Sequence, residues 1–173
     1  MEGGIKVYPK ASVELDKKAR FKTTFELIHG RVGKLDIDYS VVGKEESVMD
    51  LMSKVSGRGN DEIKIKEEGN LIGKKARGVL TSRVAVRENA RAEVYNVMRA
   101  TAPYARGHVD CKEIIQDNGI ATAIPIVEVK HPKAHITHEA AIGSVDTKQL
   151  ETLMSRGLSE EEAVDLIIEG LLG

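Results

Sequence analysis

Val32-Gly33-Lys34-Leu35-Asp36-Ile37-Asp38-Tyr39 alternates apolar and polar side chains one by one. Period two means a strand with one face buried and one face wet. The pattern recurs in Val13-Glu14-Leu15-Asp16, in Ile63-Lys64-Ile65-Lys66 and in Val84-Ala85-Val86. Dense turn signals separate these runs: His29-Gly30, Val42-Gly43-Lys44, Gly57-Arg58-Gly59-Asn60-Asp61, Glu68-Gly69-Asn70, Ile72-Gly73-Lys74 and Glu88-Asn89-Ala90. No amphipathic helix lies between them, which argues against repeated βαβ units and for an all-β stack. Sandwich, barrel and solenoid all satisfy this reading. Small residues at Ala19, Ala76, Ala90 and Ala92 add weight to a solenoid, where stacked coils need small side chains at their corners. No strict repeat length is visible.

The character changes after Gly143. Asp146 caps a predicted helix, with Gln149 three residues on as in a capping box. Leu150, Leu153 and Met154 share one face, and Gly157 ends the helix. Ser159 opens a second helix whose first turn holds Glu160, Glu161 and Glu162. Those charges suit the positive end of the helix dipole, and Ser159 with Glu162 forms a capping box. Ala163, Leu166, Ile167 and Leu171 form the expected apolar stripe. The division expected is a β core over 1–143 and a helical hairpin over 144–173. The hairpin is acidic, and no internal partner is expected for its charges.

Composition narrows the function. The 173 residues carry 26 Lys+Arg against 27 Asp+Glu, so the basic excess of a phosphate-backbone binder is absent. Aromatics make up 3%, too few for a base-stacking platform. No apolar run is long enough for a membrane span, and Met1-Glu2-Gly3-Gly4 starts no secretory signal. A single cysteine, Cys111, excludes an internal disulfide and fits a reducing cytoplasm.

Local motifs give no enzyme. Gly69-Asn70-Leu71-Ile72-Gly73-Lys74 spaces its glycines too closely for a phosphate loop, and Lys75 replaces the needed hydroxyl residue. His138-Glu139-Ala140-Ala141 lacks the second histidine of a zinc-protease helix, Ile142 standing in its place. Asp36 and Asp38 share strand parity, as on any wet face, and do not make the carboxylate cluster of a glycoside hydrolase. His108, His131, His135 and His138 gather around Cys111 in the chain, and imidazole and thiolate suit zinc, copper and iron–sulfur units. In a regular strand, however, His135 and His138 point to opposite faces.

Three stretches resemble the SufB/SufD family, the scaffold proteins of the SUF iron–sulfur cluster assembly system. They are His138 to Leu150 with Leu153 to Ala163 and Ile167 to Gly170, then Pro125 to Ala134, then Ala76 to Val86. Residues from about 70 onward carry the resemblance; residues 1–69 are similar in style only. The resemblance implies a mainly β fold, a right-handed parallel β-helix with a C-terminal helical hairpin. It implies a SufC-like ABC ATPase as partner, docked on that hairpin, and a scaffold rather than an enzyme. The runner-up is a structural, SufD-like adaptor that holds no cluster. It places Cys111 at the family's late-strand cysteine, and His138 and Glu139 on its His-Glu pair. These three are the candidate metal and cluster ligands, with the iron–sulfur cluster held transiently. Some family complexes carry a flavin, for which no residue here is singled out. Members pair through their β-helix cores, so a homodimer, or a SufB/SufD-type heterodimer, is expected at the last coils. Cys111 is expected to be accessible and reactive. Family members are usually more than twice this long.

Overall fold

A computed structural model describes residues 5–173. Residues 1–4, on which the reading of the N-terminal sequence rests, lie outside the described residues. Eleven strands follow in chain order: β1 (Lys6–Val7), β2 (Lys10–Leu15), β3 (Arg20–Leu27), β4 (Lys34–Gly43), β5 (Val48–Gly57), β6 (Glu62–Leu71), β7 (Arg77–Val86), β8 (Arg91–Ala100), β9 (Arg106–Ile115), β10 (Ile120–Val129) and β11 (His135–Ser144). Two helices close the described chain, α1 (Thr147–Met154) and α2 (Glu160–Leu172).

The strands pair in parallel, and from β2 onward each pairs with the next strand but one. One sheet runs β1-β4-β6-β8-β10 with β2 also on β4, and the other runs β11-β9-β7-β5-β3. The chain therefore winds between two facing sheets, one strand of each per coil, as a parallel β-helix. One coil advances 28 residues from Lys34 to Glu62 and 29 from Glu62 to Arg91. This is the repeat that composition hid.

Chemistry recurs at that interval even where residue identity does not. Lys18, Glu46, Lys75 and Tyr104 each take a left-handed backbone at one corner, with φ of 63, 56, 61 and 62°. Each is followed by a small residue, Ala19, Ser47, Ala76 and Ala105. Of the small residues singled out above, Ala19 and Ala76 stand in this corner column. Ala90 belongs to the opposite corner, after Glu88 (φ 57°), and Ala92 lies inside β8. On the outer faces, opposite charges meet one coil apart: Lys10 and Lys66 flank Asp38 at 3.3 and 3.5 Å, and Lys34 meets Glu62 at 3.3 Å. Cross-strand pairs of this kind favour the register.

The lumen between the sheets is packed with Leu51, Leu71, Leu80, Met98 and Val109 at one side and Ile37, Ile65, Val84 and Val94 at the other. Gly69 is not in a turn, as the sequence suggested, but inside β6. A Cβ there would meet the sulfurs of Met49 and Met98 at 3.0 Å, so a side chain at this position would have to push the two methionines aside.

The hairpin packs on the outer face of the second sheet. Val164, Ile168 and Leu172 bury against Ala85 and Val145. The buried stripe is thus rotated from the expected one: Leu166 is exposed, and Ile167 and Leu171 are half-buried. Both N-caps form: Asp146 accepts from the Gln149 amide at 2.8 Å, and the full reciprocal capping box is closed at Ser159 and Glu162. One acidic side chain does have an internal partner, since Asp165 pairs with Arg87. Among the described residues no helix is long and apolar enough to cross a membrane.

Candidate functional site

β10 and β11 form the last coil and are the edge strands of their sheets. In a parallel ladder, registered residues share a face. Ala140 registers on Cys111 and His138 on Val109, and both Cys111 and Val109 are fully buried in the lumen. His138 and Ala140 therefore face the lumen, at its exposed last layer. Glu139 registers on Asp110, whose side chain pairs with Arg83 on the outer face. The three residues expected to act together are thus split: Cys111 and His138 lie on one side of the sheet, Glu139 on the other. Only the Glu139 backbone turns inward, its carbonyl accepting from the Cys111 thiol at 3.7 Å. His135 shares the outer face with Arg106, so it and His138 do point apart.

The expectation that Cys111 is accessible is not met. The side chain is buried one coil beneath the edge, under Ala140. Burial, and then the nearby charges of Glu113 and Asp110, push its thiol up to about 11. A thiol so placed is protonated at neutral pH and a poor nucleophile until its surroundings change. Among the described residues, no three His, Cys, Asp or Glu stand close enough to hold a metal ion.

Two buried acids escaped the sequence reading. Glu67 lies wholly in the lumen. Ser53 Oγ donates to it at 2.6 Å and Asn96 Nδ2 at 3.0 Å, while Ser82 Oγ donates to Asn96 Oδ1 at 3.0 Å. This polar chain crosses the lumen toward Cys111, which registers on Ser82. Burial lifts the Glu67 carboxyl to about 7 against the pull of those hydrogen bonds. Glu113, two residues from Cys111 on the same face of β9, is also buried, and neither of its oxygens has a hydrogen-bond partner. Burial lifts it to about 7 as well, against the pull of Arg83. Parity was the available signal. Glu67 falls in phase with Ile63 and Ile65, and Glu113 with Val109 and Cys111, where an apolar residue is the rule.

Two further surfaces accompany this coil. Ile120, Ile126, Val127, Val129 and Ile142, all on β10 and β11, are exposed. In the hairpin, α1 buries no residue, and a groove of about 600 Å³ between the helices is lined by Leu153, Leu166 and Ile167.

The family described as SUF system FeS cluster assembly, SufBD core domain, matches residues 3–171. The chain is 41% identical over all its 173 residues to an iron-sulfur cluster assembly SufBD family protein of Methanocaldococcus jannaschii, of which it covers 55%. It is 39% identical over 170 residues, 98% of its length, to one of Pyrococcus horikoshii, of which it covers 52%. It is also 39% identical over 69 residues, 39% of its length, to 15% of the iron-sulfur cluster assembly protein SufB of Bacillus subtilis. The chain thus spans about half the length of the curated archaeal relatives, and the likeness reaches well into the first 69 residues. With the two-sheet parallel solenoid and its C-terminal hairpin, these matches define its kinship: the chain belongs to the SufBD core-domain family.

Proposed function

We propose that this chain takes part in iron–sulfur cluster assembly as a scaffold component of a SUF-type system. The observation that carries the reading is the placement of Cys111 and His138 on the lumen face of the last coil, in a chain of this family. The cluster is cargo. Cys111 supplies a thiolate once its proton is lost, and His138 supplies an imidazole nitrogen. Glu139, on the outer face beside His138, reaches the cargo only across a junction with another chain.

A second copy completes the set. Iron–sulfur units take about four protein ligands, mostly thiolates, and one chain holds one. A two-fold axis at the last coil brings two copies of each residue together and covers the exposed edges and apolar side chains of β10 and β11. A SufB/SufD-type heterodimer would use the same face. A SufC-like ABC ATPase docks on the groove between α1 and α2, where Leu153, Leu166 and Ile167 offer apolar surface beside acidic residues. Leu166→Asp is expected to abolish ATPase binding while leaving the β-rich circular dichroism unchanged; retained binding would refute this docking site.

The buried, protonated state of Cys111 favours a second reading, an adaptor that pairs and docks without holding a cluster. Anaerobic reconstitution with iron and sulfide separates the two. The scaffold reading predicts visible charge-transfer absorbance that Cys111→Ser removes. Absence of that absorbance in the wild type, or its persistence in the variant, would leave the adaptor.

A further inference from the structure

The corner that leads into the second sheet treats charge in two ways. In the first two coils it is neutralised: Lys17 meets Glu45 at 3.0 Å, Lys18 meets Glu46 at 3.8 Å and Lys22 meets Asp50 at 3.4 Å. In the last three coils it is not. Arg77 registers on Arg106 and Arg106 on His135, so basic side chains stack one above another on the outer face. Lys75, Tyr104 and Lys133 stand two residues before them at the corner itself, where the Lys75 amide donates to the Pro103 carbonyl and the Tyr104 amide to the Lys133 carbonyl. All six side chains are exposed. Lys75, Arg77, Arg106 and Lys133 make no ion pair among the described residues. From Ile72 to Thr81, from Ala100 to Val109 and from Val129 to His138 the chain has no Asp or Glu, although it holds 27 in all.

Like charges directly opposite one another weaken a ladder, and this chain pairs opposite charges on its other outer columns. An unneutralised basic column on a protein of net charge -1 is complementary to a negatively charged partner. The spacing selects among such partners. Neighbouring strands lie about 4.8 Å apart, close to the advance of about 5.4 Å per turn of an α-helix. A helix laid along the solenoid axis with carboxylates at i, i+4 and i+7 therefore offers one to each of the three corners. An extended peptide returns to the same face about every 7 Å and falls out of step. A row only three corners deep, with Tyr104 as its one aromatic, is short for a nucleic-acid backbone.

We infer that the corner of the last three coils, centred on Arg77 and Arg106, is a docking ridge for an acidic helix of a partner protein. It is separate from the groove between α1 and α2 and from the lumen face of the last coil. Its test therefore does not depend on the ATPase or on Cys111.

The probe is a fluorescein-labelled, alanine-rich helical peptide with glutamates at i, i+4 and i+7, titrated with the protein at low salt and read by anisotropy. The wild type is expected to bind it, and Arg77→Gln with Arg106→Gln to bind at least about tenfold more weakly with unchanged circular dichroism. Lys64→Gln with Arg91→Gln makes the same change of charge on the other sheet, beside Asp36, Glu62 and Glu93, and is expected to bind as the wild type does. No binding by the wild type, wild-type affinity in the Arg77 and Arg106 variant, or an equal loss in the control overturns the ridge. Equal affinity for the same peptide broken by a central proline overturns the helix. Tighter binding of a single-stranded oligonucleotide of equal charge overturns the protein partner. Should the double variant alter the circular dichroism, Arg106→Gln alone decides by the same titration, and wild-type affinity there overturns the proposal.

Discussion

The middle coils and the last coil are built from the same two strands per turn, yet they are finished differently. In β5 to β8 each lumen layer is covered by another, and outer charges meet opposite charges one coil away. In β10 and β11 the lumen face lies open, both strands are edges, and large apolar side chains stand exposed. The middle is a packed core that tolerates little change. The last coil is an uncovered layer with exposed strand edges, which is why the proposed junction with another chain is placed there.

The largest contrast is expected from equal changes made in the two regions. Gly73→Ala would place a Cβ 2.0 Å from the Lys44 carbonyl carbon, between adjacent coils at a corner. Backbone must move to admit it, so urea unfolding should show a loss of about 3 kcal/mol or more. Gly143→Ala in β11 meets nothing within 4 Å and is expected to change stability by no more than about 0.5 kcal/mol. Likewise, Leu51→Ala in the buried core should cost about 3 kcal/mol, whereas Ile142→Ala, measured in dilute protein, should cost under about 1 kcal/mol. Equal losses at the two positions would erase the distinction.

A second contrast is in pH dependence. Glu67 has a carboxyl raised from the ordinary range to about 7 in the fold, so the folded state holds its proton more tightly than the unfolded chain. Stability from this group is present below about pH 4.5 and is lost as pH rises toward 7. Glu67→Gln removes that loss, so the difference in unfolding free energy between variant and wild type should move in the variant's favour from pH 5 to 8. A constant difference would mean that Glu67 does not titrate in this window. The smallest effect belongs to the surface ladder. Asp38→Asn, which breaks the contacts to Lys10 and Lys66, should cost about 0.5 kcal/mol and less in high salt.

Much of this architecture was legible in the sequence, but unevenly. Alternation in Val32 to Tyr39 marked a strand because burial repeats every two residues in any sheet. The coil length stayed hidden because it drifts between 28 and 29 and because the corners constrain conformation and size, not identity. Lys18, Glu46, Lys75 and Tyr104 share a left-handed φ, yet glutamate and tyrosine stand in the same column as the two lysines. The hairpin caps were readable because capping is local. The helix face was not, since Val164, Ile168 and Leu172 are chosen by where Ala85 and Val145 stand in the fold. At the site, parity separates Glu139 from Cys111 and His138, and the burial of Cys111 depends on a strand 29 residues away.

The central claim is that the last coil is a junction between chains with Cys111 directly beneath it. Light scattering of the isolated protein at micromolar concentration tests it most directly, with Ile142→Asp as the paired control. The account predicts a dimer for the wild type and a folded monomer, with unchanged circular dichroism, for the variant. A monomeric wild type, or a dimer that Ile142→Asp leaves intact, would contradict it.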